Sequence, residues 1–268
     1  MKLMYKTIIL ICVLLVCCGQ GKDGQSAGAS GDRETITLKT REKAYAELVE
    51  KFDDLVKLYD HRPKDLDPYL FNDIKNTVGT SHRIYVKDHV AFVLSGEDIN
   101  DISIFTKLKD IVLTASMKSK TDYEDKDNGQ RLIYALSDLS KHFIYYVLYD
   151  NDVFGIGKLN RLKESKNVKG MEFLSVQLGK MKLEWKKIVS LVRSIIEEAA
   201  MLNNEADILK KIKPIVNLKF VEEDQSCNAL QAQSIDPTLC ELKNNLRVLY
   251  LTIKNQVAQL IQEIDLAS

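Results

Sequence analysis

From Thr37 onward, apolar residues recur at alternating spacings of three and four. That period places them on one face of an α-helix. It predicts a first helix from Thr40, a good N-cap, with Ala44, Leu48, Phe52, Leu55 and Tyr59 on one face before His61-Arg62-Pro63 breaks it. A second starts at Asp67-Pro68, cap then proline, carries Leu70, Phe71, Ile74 and Val78, and stops at Gly79. The segment SHRIYVKDHVAFVLSG is rich in β-branched residues and suits a strand as easily as a helix; the reading adopted is helix. A stronger helix carries Ile99, Ile102, Phe105, Leu108, Ile111, Val112 and Ala115. The next, GQRLIYALSDLSKHFIYYVLYD, is apolar around more than half its circumference, as a central helix is, and ends near DNDVFGIG.

The longest pattern runs through Met171, Leu174, Leu178, Met181, Trp185, Ile188, Val192, Ile195, Ala199 and Leu202 without a slip. It is a coiled-coil seam or, the simpler reading, the core face of a long bundle helix. Asn203-Asn204 ends it, and a short helix from Glu205 is expected to be interrupted at Pro214. Asp236-Pro237 repeats the cap-then-proline start for a last helix with Leu239, Leu242, Leu246, Leu249, Ile253, Val257, Leu260 and Ile264. So apolar a stripe must bury itself in its own bundle or against another copy of the chain. The expected fold class is all-α, one helical bundle domain over residues 37–268 with long helices.

The N-terminus departs from this pattern. Lys2 and Lys6 precede an apolar run from Thr7 to Val16, the layout of a secretory leader and too short for the roughly 20 residues of a membrane span. The run ends in Cys17-Cys18. A bacterial lipoprotein signal needs a thiol directly after the apolar segment, a leucine-like residue three positions before it and a small one immediately before. Cys18 meets this with Leu15 and Cys17, whereas Cys17 would have bulky Val16 before it. The alternative is two ordinary cysteines in a cleaved leader. On the lipoprotein reading, residues 1–17 are the signal peptide, Cys18 is the lipid attachment site, and residues 18–36, rich in Gly, Ser, Ala and Asp, form a flexible tether to the membrane.

An exported chain sits where disulfides form. With the leader gone and Cys18 acylated, Cys227 and Cys240 remain, separated by 12 residues that include the turn-like QSIDP, and are expected to pair. Closing a loop of that size stabilises by about 3 kcal/mol in the chain-entropy model. There is no CxxC spacing and no histidine near either cysteine, which disfavours zinc.

Composition narrows the function. Lysine plus arginine and aspartate plus glutamate both number 38, so no net field draws the chain to nucleic acid, and none is expected as a partner. His82 and His89 lie seven apart, wider than the usual metal pair on a helix, and no HExxH occurs. The acidic run Asp122, Glu124, Asp125 and Asp127 before Gly129 fails as a calcium loop, because Lys126 falls at a ligand position. It reads as a solvated loop capping the next helix. Gly155 and Gly157 form a GxG without its third glycine, a helix connection, and no GxxxxGK or GxSxG is present. No cofactor and no metal are expected, and the chain reads as a non-enzyme. Phe143, Tyr145, Tyr146 and Tyr149 offer an amphipathic contact surface or fill the core and edge of the bundle.

Several stretches, in order, carry a resemblance: EKFDDLVKLYD (50–60), DLDPYLFNDIKNTV (65–78), KLKDIV (107–112) and above all QRLIYALS (130–137). Over about residues 50–203 the chain resembles the Borrelia surface lipoproteins grouped as virulent-strain-associated or complement-regulator-acquiring. The resemblance implies an all-helical, non-enzymatic domain on a lipid tether at the outer surface. Some members bind the complement regulator factor H, others are associated with plasminogen or late complement components, and one architecture is a homodimer through the C-terminal helix. The Cys227 to Cys240 loop and the end at Ser268 depart from the family's pattern, and no motif carries ligand-contacting residues across.

Overall fold

The computed structural model describes residues 30–60, 72–74, 86–95, 102–116, 128–155, 157–218, 220 and 237–268, with side chains beginning at residues 38, 88 and 239 in the helices that contain them. The chain divides into two compact units, Met1–Lys39 and Thr40–Ser268. The described residues are helical with no strand among them. In chain order the helices are α1 (Ser30–Asp60), α2 (Val86–Ser95), α3 (Ser103–Ser116), α4 (Asn128–Ser140), a π-helical turn (Lys141–Tyr145), α5 (Tyr146–Tyr149), α6 (Lys158–Arg161), α7 (Val168–Ala200), α8 (Glu205–Val216) and α9 (Pro237–Ala267). The all-α bundle expected from the periodicity is the observed fold.

Three expectations about helix limits need correcting. α1 begins at Ser30 rather than Thr40, so residues 30–36, assigned above to the flexible tether, are helical. After Gly31 that stretch holds neither glycine nor proline. Extending an existing helix costs far less than nucleating one, which outweighs the capping preference of Thr40. Pro214 does not interrupt α8, which runs on to Val216. The proline sits in the last turn: it withholds its own N–H, but the Asn217 N–H still reaches the Lys213 carbonyl at 3.0 Å and closes the helix. Ile102, placed above on the α3 stripe, lies in the turn before that helix and is exposed. The helix expected from Asp67 falls largely outside the described residues; residues 72–74 are helical and Ile74 is buried.

α7 is the axis of the bundle. It packs most extensively on α9 and also on α2, α3 and α8. Its expected stripe is buried from Met171 to Ala199, with Leu202 packed at the edge. At the centre Trp185 stacks on Phe92 of α2, ring centroids 4.7 Å apart and planes 10° apart. The Arg193 guanidinium donates to the Leu94 carbonyl, where α2 ends and its unsatisfied carbonyls attract positive charge.

The bonds between helices set their directions. Ser175 donates to the Glu47 carbonyl and Lys182 to Asp54, one constant offset, so α1 and α7 run parallel. Asn167 meets Glu263, Gly170 faces Leu260, and Asn245 donates to Glu184, so α7 and α9 run antiparallel. Asn167 also caps α7, its side-chain oxygen accepting from the Gly170 N–H at 2.8 Å. The α9 stripe is buried within the chain's own bundle, only Leu242 being half-buried. Val248, Leu251 and Leu266 of α9 lie outside that stripe and are exposed.

Candidate functional site

The most distinctive constellation surrounds the π turn. One extra residue per turn widens the helix between α4 and α5 and shifts the helical phase of every residue after it. Tyr145 and Tyr149 consequently face Tyr59 near the end of α1, with centroids 6.0 and 5.9 Å from it and 5.0 Å from each other. His142 stacks on Phe220 at 5.6 Å and 12°, and Phe143 reaches the same ring. Lys141 holds its ammonium 5.9 Å from the Tyr146 ring centre. Of the four aromatic residues singled out in the sequence, Phe143 is buried, Tyr145 and Tyr146 are half-buried, and Tyr149 is 42% exposed. This is the arrangement of the core-and-edge reading. Phe143 is core, and the tyrosines form an edge with their rings packed below and their outer sides in water.

Beneath that edge lies a polar knot with no counterpart in the sequence pattern. His89 of α2 places Nδ1 3.1 Å from Ser140 Oγ and 3.4 Å from the Tyr59 hydroxyl, with Tyr145 edge-on at 5.1 Å. A serine at that distance from an imidazole has the geometry of a nucleophile and its base. Here, however, Ser140 is 0%, His89 2% and Tyr59 5% exposed. No substrate reaches groups sealed to that degree. Their chemistry is that of a buried hydrogen-bonded network tying α1, α2 and α4 together.

Beside the edge, Asp152 forms an ion pair with Lys254 of α9 at 3.1 Å. The hydrogen bond lowers the Asp152 carboxyl and raises the Lys254 ammonium from their ordinary values. Burial raises the nearby Tyr250 hydroxyl. The Gly155 backbone closes the preceding turn, its N–H 2.8 Å from the Asp150 carbonyl.

Two open concavities lie elsewhere. One of about 440 Å³ lies between Ser165, Asn167, Glu263 and Ala267. Another of about 350 Å³ is rimmed by Asn128, Arg131, Lys210 and Lys213 over Leu209 and Val216. In the first, Ser165 Oγ accepts from the Asn167 N–H and Ser268 Oγ donates to the Ile264 carbonyl, and no group of three or more His, Cys, Asp or Glu positioned for a metal occurs among the described residues.

Of the sites expected from sequence, Cys18 and Cys227 lie outside the described residues. Cys240 is buried at the start of α9 and is disulfide-bonded. The sequence reading missed the His89, Ser140 and Tyr59 knot, because three polar residues so far apart carry no local signature. It also missed an exposed apolar row on α7, which repeats at the same spacing as the core stripe on another face of the helix.

By fold the protein is an all-α bundle built around one long helix. Comparison of the chain with protein-family models, with curated proteins and with solved structures finds no match. Among the described residues no helix is long and apolar enough to cross a membrane.

Proposed function

We propose that the chain is an outer-surface lipoprotein, anchored in the cell outer membrane through acylated Cys18, whose helical domain is a non-enzymatic binding module for a host or vector protein. The family resemblance names the partner class, a complement regulator such as factor H or else plasminogen, with immune evasion as the purpose. The observation that carries the reading is the tyrosine edge. Tyrosines on a rigid backbone supply large amphipathic contact area at little entropic cost, and Tyr145 and Tyr149 are held by packing on Tyr59. The N-terminal run into Cys17-Cys18 supports the anchor.

A serum pull-down with the immobilised chain tests the module. A complement or plasminogen component should be retained, and Tyr149→Ala with Tyr146→Ala should weaken its capture by about tenfold or more, as interface anchors do. Retention of no serum protein would refute the reading. For the anchor, radioactive palmitate should label the wild-type chain and not a Cys18→Ala variant.

A second reading, a structural or antigenic surface lipoprotein that self-associates without a host ligand, is favoured by the exposed apolar residues of α7.

A further inference from the structure

α7 carries two periodic patterns. The inner one, through Trp185, is the core face. The outer one runs through Lys169, Phe173, Val176, Lys180, Leu183 and Lys187 at spacings of four and three, so these residues also share a face. Its apolar members are uncovered: Phe173 is 41%, Val176 54% and Leu183 61% exposed. Scattered exposed apolar residues are ordinary. Three in seam register on one helix present a ready-made packing surface.

The flanking residues identify what fits it. Glu172 and Lys180 stand one turn either side of Val176, are both exposed, and make no ion pair among the described residues. Phe173 and Gly179 stand three residues either side of it, and a Cβ built on Gly179 would meet nothing within 4 Å. The face thus has an acid and a bulky ring on one side of Val176, and a base and a notch at matching positions on the other. A second α7 laid antiparallel across it, with a two-fold axis through Val176, brings Glu172 and Lys180 to one level across the seam twice, with Phe173 beside the Lys180 stem and the open space at Gly179 beside Glu172. Lys169 then covers Leu183 with its aliphatic stem. Moving the axis two residues along, to position 178, sets Glu172 against Glu184 and Lys169 against Lys187, like charges in both cases. Of these two registers, charge favours the one centred on Val176.

We propose that the outer face of α7 is a two-fold self-association surface, in which the α7 helices of two copies cross antiparallel at Val176. This surface lies wholly on a described helix and depends neither on the proposed ligand nor on the anchor. The contact spans residues 169–183, about 21 Å of helix. One helix pair of that length falls short of the roughly 1,600 Å² of a standard stable interface, so the association is weak and concentration-dependent.

Sedimentation velocity over a wide concentration range tests it, using the full chain with Cys18→Ser to prevent acylation. Dimer should form reversibly. Val176→Asp, Glu172→Lys and Lys180→Glu should each weaken it about tenfold or more, while the double variant Glu172→Lys/Lys180→Glu returns to within about threefold of wild type. These side chains are exposed, so far-UV thermal melts should remain unchanged, which separates lost association from misfolding. A chain monomeric at every concentration overturns the proposal. So does a dimer indifferent to the single charge reversals, or a double variant that does not recover, since association through any other surface would not follow the swap.

Discussion

Single residues show where side-chain size is tolerated. Gly155 was legible in sequence only as half of a weak GxG, and the structure supplies the reason for it: a Cβ there would lie 2.6 Å from the Asp150 carbonyl carbon and 2.7 Å from the Asn151 nitrogen. Backbone atoms in a tight turn cannot retreat as a side-chain tip can. Gly155→Ala should cost about 2 kcal/mol or more in urea unfolding. Gly179→Ala, with open space around it on α7, should instead stabilise the monomer by up to about 1 kcal/mol through helix propensity. Gly157, at φ +81°, occupies the left-handed region that side chains avoid, so both glycines of the motif are structural. Trp185 is the largest fully buried side chain, and its stacking on Phe92 makes Trp185→Ala the costliest core truncation to expect, about 3–5 kcal/mol by the same measurement.

Elements divide by how much of their cause is local. α9 was legible almost to the residue, because its stripe is long and opens on the cap-then-proline pair Asp236-Pro237; for α7 the stripe from Met171 was legible but the Asn167 cap was not. The π turn was not. One extra residue inside a stretch apolar on most of its surface leaves the periodicity nearly intact, while the ring contacts that reward it come from Tyr59, His89 and Phe220 far away in sequence. α2 was ambiguous for a related reason. Residues 89–95 are all buried, a continuous burial that β-branched residues suit in either backbone, and packing on α4 and α7 decides it. The end of α2 depends on a partner the local sequence does not show, the guanidinium of Arg193. Arg193→Ala should lower stability by about 1–2 kcal/mol, shifting the urea midpoint with little change in its slope.

At the scale of the whole molecule, neutral overall charge hides a consistent electrostatic pattern. The ammonium groups of Lys182, Lys187 and Lys211, each donating a hydrogen bond, hold the carboxyls of Asp54, Glu184 and Glu198 below their ordinary values. Asn167 does the same for Glu263. In each case the unfolded chain takes up the proton first. Their stabilising contribution is complete above the ordinary values of 3.8 for Asp and 4.5 for Glu, and is lost as pH falls through the lowered folded values. The melting temperature should therefore fall as pH drops from about 5 toward 3. Lys182→Ala should flatten that dependence as well as lower the plateau. Function was the least legible property at every scale, because a binding face is a matter of which residues the packed bundle leaves outside.

The antiparallel pairing of α7 with α9 also has a consequence in time. Synthesis proceeds from the N-terminus, so α7 is made well before the helix that covers much of its length, with α8 and residues 217–236 between them. Until α9 emerges, Met171, Gly170 and their neighbours have no lid. The face of α7 that α9 covers consequently stays without its partner until the last helix of the chain has been made.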